Sequence, residues 1–229
     1  MTAAGEPTVT VLLPVLNGLP YLDTALAALL AQTRPADEVL VLDGGSTDGT
    51  RQRIGEEPGV TVIDLPGAGV HASYNVGMAR AAGDLIAFTA ADDIMDPRAL
   101  ETHVAALAAR PDAGYSCGKV ALFADPGGVS DLVPDRLAGT VHQARALEAV
   151  VVRRRVCREV GGLRDELGTS ADVEWIARLG DLGITSVTVD EVVVAKRLHL
   201  ANSSYTRGDV AQGITRSLRL SILRKRGSS

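Results

Sequence analysis

Apolar stretches long enough to cross a membrane are missing from this sequence. The longest runs free of Asp, Glu, Lys and Arg are about 15 residues, Thr8 to Leu22 and Leu65 to Ala79, and Pro, Gly or Asn interrupts both, whereas a spanning helix needs about 20. The opening Met-Thr-Ala-Ala-Gly-Glu-Pro has neither a basic stretch nor an apolar core. No secretory signal is expected, and the expectation is a cytoplasmic protein with at most peripheral membrane contact. Cysteine is scarce too: Cys117 and Cys157 lie far apart with no CxxC, which excludes a disulfide framework or a thiolate zinc site and suits reduced thiols. Aromatics number two Phe, one Trp and four Tyr, too few for a stacking platform along single-stranded nucleic acid or a long glycan. What remains is 46% apolar and 22% charged over 229 residues, enough for one α/β domain that buries roughly 70% of its unfolded surface.

The net charge of −5 is unevenly distributed. Residues 1–149 carry 19 acids and 9 bases, and residues 150–229 carry 9 acids and 14 bases. An acidic first part repels nucleic acid, so none is expected as a partner. The basic second part, with Arg153, Arg154, Arg155 and Arg158 and then Arg216, Arg219, Arg224, Lys225 and Arg226, fits either an anionic or lipid-linked ligand or a solvated helix face.

Short β-rich runs alternate with helical ones. Val9–Leu13 and Val39–Leu42 are continuous apolar strands of the kind buried on both faces. Between them Pro20 opens a helix with Leu22, Leu26, Leu29 and Leu30 on one face. The unit repeats through a helix capped by Ser46 or Thr47, a strand at Val60–Leu65, a helix at Ser73–Ala82, a strand at Leu85–Thr89 and a helix from Pro97. Beyond residue 110 come strands at Tyr115–Phe123, Val150–Val152 and Thr185–Val194, a helix at Asp172–Leu182 and helical spacing over Val210–Arg226. The expectation is an open, mostly parallel α/β sheet with helices on both faces, plus a smaller mixed region. Its parts are residues 1–110, 111–205 and a basic tail, 206–229.

In such a sheet ligands bind beyond the carboxyl ends of the strands. The residues there are Pro14 to Asn17, Asp43 to Asp48, and Asp92-Asp93. Paired carboxylates suit Mg²⁺ or Mn²⁺ shared with phosphates, or they cap the next helix. Asp43 suits a hydrogen bond to a base or ribose, or a turn in its Gly-rich loop.

Together, Val-Thr-Val-Leu-Leu-Pro-Val-Leu-Asn, Leu-Asp-Gly-Gly-Ser-Thr-Asp-Gly-Thr, the Asn75-Val-Gly-Met-Ala-Arg-Ala-Ala-Gly segment and Ala-Asp-Asp-Ile-Met-Asp-Pro closely resemble the nucleotide-binding half of family 2 glycosyltransferases with the GT-A fold. A weaker likeness runs on through Gly161-Gly162-Leu163, Asp172 and Arg197 to Ser204. The resemblance implies inverting sugar transfer from a UDP-, dTDP- or GDP-linked donor to an acceptor hydroxyl, with a divalent metal. It implies Pro14 and Asn17 beside the nucleotide, Asp43 on the base, Asp92 near ribose and sugar, Asp93 and His199 at the metal, and Asp172 as general base, with Glu174 or Asp165 as substitutes. The chain departs from the family pattern at Gly44, Ala90, Ala91 and Ala171, where acids are common. Those losses fit a non-catalytic nucleotide-sugar-binding or partner-binding homologue as the alternative. Gly67-Ala68-Gly69-Val70-His71-Ala72 also matches a GxGxxA dinucleotide fingerprint, the basis of an oxidoreductase reading. A homodimer is a further expectation.

Overall fold

A computed structural model of the chain describes residues 5–125, 139–143 and 146–199, and near the C-terminus residues 216–217, 220–222 and 224. The strands are β1 (Val9–Val15), β2 (Glu38–Asp43), β3 (Val60–Asp64), β4 (Leu85–Phe88), β5 (Ile94–Met95), β6 (Tyr115–Ala124), β7 (Val141–Gln143), β8 (Val150–Arg153) and β9 (Ser186–Leu198). The helices are α1 (Leu19–Leu30), α2 (Thr50–Gly55), α3 (Val70–Arg80), α4 (Ala99–Ala109), α5 (Arg154–Val160) and α6 (Ala171–Asp181). All strands join one sheet in the order β3-β2-β1-β4-β8-β6-β9-β5, with β7 paired to β6. The pairs among β3, β2, β1 and β4 are parallel, and β8 runs antiparallel between β4 and β6.

Alternation along β1 explains the layering. Val9, Val11, Leu13 and Val15 face a core built with Leu22, Leu26 and Leu29 of α1, Ile54 of α2, and Leu100, Val104 and Leu107 of α4. Leu12 faces the other core, with Tyr74 and Met78 of α3, Val156, Cys157 and Val160 of α5, and Trp175, Ile176 and Leu179 of α6. Trp175 is fully buried, and its indole N–H donates to the Gly161 carbonyl at 2.7 Å. The helices thus cover both faces, as the alternating pattern implies.

Two helices start elsewhere than expected. α2 begins at Thr50 because the polar residues before it serve a loop: the Asn17 N–H donates to Ser46 Oγ and the Thr47 N–H to the Asn17 side-chain oxygen, both at 2.9 Å. α3 begins at Val70. The GxGxxA segment therefore lies on the turn after edge strand β3 and runs into that helix, away from the first βα turn a dinucleotide site uses. Of the helix expected over Val210–Arg226, residues 216–217, 220–222 and 224 are helical and the other positions lie outside the described residues.

Gly83 is held where β1 and β4 meet. Its N–H donates to Thr10 Oγ1 at 2.9 Å, and a Cβ there would stand 2.6 Å from the Thr10 nitrogen and 3.0 Å from the Val9 carbonyl carbon. Backbone cannot yield as a side chain does, so Gly83→Ala should cost about 1–3 kcal/mol and lower Tm by roughly 2–10 °C. A calorimetric scan showing no shift would contradict this packing.

Candidate functional site

The strand ends gather the polar residues on one edge. β1 delivers Pro14, buried within the strand, then Asn17, an exposed residue with φ 53°. Asparagine tolerates this left-handed conformation better than most residues. Its side chain and N–H tie the loop after β1 to the loop after β2, so Asn17 shapes the rim of the cleft. Asp43 closes β2 and is buried, with Oδ1 accepting from the Ser46 N–H at 3.0 Å and the Ser46 hydroxyl at 2.6 Å. That is an aspartate turn, and it leaves Oδ2 outside the bonding.

The two adjacent aspartates separate completely. Asp92 keeps its side chain 29% exposed, and Oδ2 accepts from His199 Nε2–H at 3.0 Å. Asp93 has no exposed side-chain surface: Oδ1 accepts from the Arg197 N–H at 3.0 Å and Oδ2 from Lys196 Nζ at 3.2 Å. Burial pushes the Asp93 carboxyl up, reinforced by Glu148 and Asp92 and opposed by Lys196.

Lys196 also reaches Glu148 Oε1 at 3.1 Å, so the ammonium bridges the turn after β4 and the 3₁₀ turn Leu147–Ala149. Burial works against the charged ammonium, but Glu148 and Asp93 outweigh it and hold Lys196 protonated well above its ordinary range. For Glu148, burial pushes upward and Lys196 pulls the carboxylate below its usual value.

Asp172 stands in the first turn of α6, where its Oδ1 accepts from the Val173 N–H at 2.7 Å. Burial, then the Glu148 charge, lifts its pKa to about 6. A carboxylate lifted toward neutrality is suited to take a proton. Glu174, two residues on, is wholly buried and spent on Arg178 at 2.6 Å and Arg224 at 2.7 Å, so it offers nothing to a ligand. Asp165 is exposed near the start of α3.

Further residues fill the remaining space. The Arg197 guanidinium lies over the Tyr21 ring at 4.8 Å and the Phe123 ring at 4.7 Å and pairs with Asp125. Tyr21 in turn packs on His199 at 4.7 Å. His71, at the start of α3, has its pKa lowered by burial, with Asp165 and Glu148 acting the other way. The available signal was positional: Lys196-Arg197 follows the apolar run Val192-Val193-Val194-Ala195, and Glu148 sits inside Ala146-Leu147-Glu148-Ala149-Val150.

Among the described residues no cluster of three or more His, Cys, Asp or Glu is arranged around one point. Asp92 Oδ2 and His199 Nε2 hydrogen-bond to each other at 3.0 Å, so a divalent cation held by this pair would take the place of the proton between them. Asp93, expected at the metal, keeps Oδ1 on the Arg197 N–H and Oδ2 on Lys196 Nζ.

Residues 10–130 match the family model of Glycosyl transferase family 2, a span that stops short of Asp172 and His199. Glycosyltransferase AglE of Haloferax volcanii is 26% identical over 208 residues, covering 82% of this chain and 66% of that protein. Among solved structures, Staphylococcus aureus TarS 1–349 in complex with UDP-GlcNAc superposes with a TM-score of 0.75 at 17% identity, over 95% of this chain and 66% of that one. Mannosyltransferase PcManGT of Pyrobaculum calidifontis, in complex with GDP-Man and Mn²⁺, superposes with a TM-score of 0.71 at 22% identity, over 95% of this chain and 64% of that one. The chain therefore spans slightly under two thirds of the length of these relatives, and it shares the GT-A fold.

Proposed function

Because the chain belongs to glycosyl transferase family 2, we propose that it moves a sugar from a nucleoside-diphosphate donor to an acceptor hydroxyl with inversion, Asp172 acting as general base. The observation that carries the reading is the placement of Asp43 and the Asp92–His199 pair at the carboxyl ends of β2, β4 and β9, with Asp172 near enough to Glu148 and Lys196 to feel their charges. The binding of UDP-GlcNAc by TarS and of GDP-Man with Mn²⁺ by PcManGT supports a nucleotide-sugar donor.

Inversion at an anomeric carbon needs a carboxylate on the acceptor's side and a leaving diphosphate whose charge is offset. Asp172 takes the acceptor proton. Asp43, fixed by Ser46, presents its remaining oxygen to the base, and Pro14 and Asn17 shape the wall beside it. A divalent cation, Mn²⁺ or Mg²⁺, held by Asp92 and His199 would supply positive charge to the diphosphate. Asp93 acts from behind, anchoring the strand that carries His199.

Thermal scans with UDP, GDP and dTDP, with and without Mn²⁺, test this. At a hundred times Kd the matching nucleotide adds about 2.7 kcal/mol, which should raise Tm by roughly 5–10 °C. Asp92→Asn should remove the part of that shift that depends on Mn²⁺ and keep the remainder. No shift with any nucleotide defeats the proposal, and binding without turnover in the presence of donor sugars would favour the non-catalytic alternative.

A further inference from the structure

The Glu148–Lys196 pair takes no part in the roles assigned above. Lys196 Nζ spends two of its three N–H groups, on Asp93 Oδ2 and Glu148 Oε1. Its side chain stays 25% exposed and that of Glu148 15% exposed, so neither is sealed in the core. A purely structural ion pair could be replaced by apolar packing at little or no cost in stability, yet here a cation and a carboxylate sit side by side in a partly open position. A hydroxyl is the complementary group: its oxygen accepts the spare ammonium N–H while its own O–H donates to carboxylate.

We propose that Glu148 and Lys196 form a dyad that reads a hydroxyl of the transferred sugar and restricts the donor to neutral sugars. The inference rests on the nucleotide-sugar reading and deepens it. Placement favours the donor sugar over the acceptor. In that reading Asp92, next in the chain to the Asp93 partner of Lys196, stands at the diphosphate, and Asp172, which feels the charges of Glu148 and Lys196, is the base, so the transferred sugar lies between them. The preference for neutral sugars follows from charge: Glu148, Asp93 and Asp172 outnumber the Lys196 ammonium, and a uronate that accepts the spare N–H of Lys196 meets the Glu148 carboxylate where a hydroxyl would donate.

Dissociation constants of the free nucleoside diphosphates and of UDP-glucose, UDP-GlcNAc, dTDP-glucose, GDP-mannose and UDP-glucuronate, measured by calorimetric titration, provide the test. In Lys196→Met and Glu148→Gln the neutral nucleotide-sugar should bind about tenfold or more weakly, while the free diphosphate of the same base keeps its affinity within about twofold. That unchanged affinity also reports an intact fold. Should Lys196→Met fail to fold, Lys196→Arg retains a cation for Asp93 but misplaces the donors, and the same ratio is expected to fall. Folded variants with an unchanged ratio, or a wild-type protein that binds UDP-glucuronate more tightly than every neutral donor, overturn the dyad. A wild-type protein that binds neither diphosphates nor nucleotide-sugars instead overturns the nucleotide-sugar reading, and the dyad falls with it.

Discussion

Asp172→Asn is expected to reduce sugar transfer by roughly 10²–10⁴-fold, to leave nucleotide affinity unchanged, and to make the protein more stable at neutral pH. The gain follows from linkage. The folded-state pKa of about 6 exceeds the ordinary carboxylate value of 3.8, so the ionised form is disfavoured in the native protein, at a cost on the order of 1–3 kcal/mol. The amide avoids that cost. Because the folded pKa is the raised one, the variant's advantage should be full above about pH 6 and shrink as the pH falls, disappearing below pH 3.8, where wild-type Asp172 is protonated in both states. The same group sets the acid limb of the rate profile: wild-type kcat should fall tenfold per pH unit below about pH 6. Stopped activity assays and thermal melts between pH 4 and 8 measure both. A variant that turns over at the wild-type rate removes Asp172 from the mechanism.

Glu174→Ala should give the largest loss of stability. Its carboxylate has no exposed surface and meets Arg178 Nη2 at 2.6 Å and Arg224 Nη1 at 2.7 Å, with Arg164 Nε at 3.9 Å. Arg178 also donates to the Val160 and Gly162 carbonyls at 3.0 Å, so its charge is fixed in place when the partner disappears. Removing one member of a buried pair costs about 3–5 kcal/mol, or roughly 6–20 °C in Tm. Chemical denaturation of the variant reads this directly, and a loss below about 1 kcal/mol would mean the arginines find water instead. Since α6 carries both Glu174 and Asp172, the buried cluster also fixes the helix turn from which the base projects.

The first four strands and their helices were legible because burial on both faces leaves uninterrupted apolar runs, and Leu22, Leu26 and Leu29 mark a face at helical spacing. The short strands β5 and β7 were not, since two or three residues carry no period. Helix α5 was also missed: its sequence Arg-Arg-Val-Cys-Arg-Glu-Val shows charge first, and its buried Val156, Cys157 and Val160 gain meaning only against α6. Within the site, Asp172, which lies in the first turn of a helix, was drawn only from the family resemblance, while position along the strands pointed to Asp43 and the Asp92-Asp93 pair. It could not distinguish Asp92 from Asp93, because adjacent identical side chains differ only in which way the backbone turns them. The two side chains part in the structure, Asp93 onto Lys196 and the Arg197 N–H and Asp92 onto His199. Glu148 escaped notice for a related reason: its partner is 48 residues away in sequence.

The sheet order has a practical consequence for exchanging specificity between relatives. β8, which follows residue 110, is wedged between β4 and β6, and β5, which precedes it, is closed by β9 at the far edge. A chimera joined near residue 110 therefore cuts across two antiparallel seams, and each half arrives with a bare strand edge that the other must match in register. Transplants confined to the turns at the strand ends leave those seams intact. A new specificity in this scaffold is better sought by loop grafting than by recombining halves.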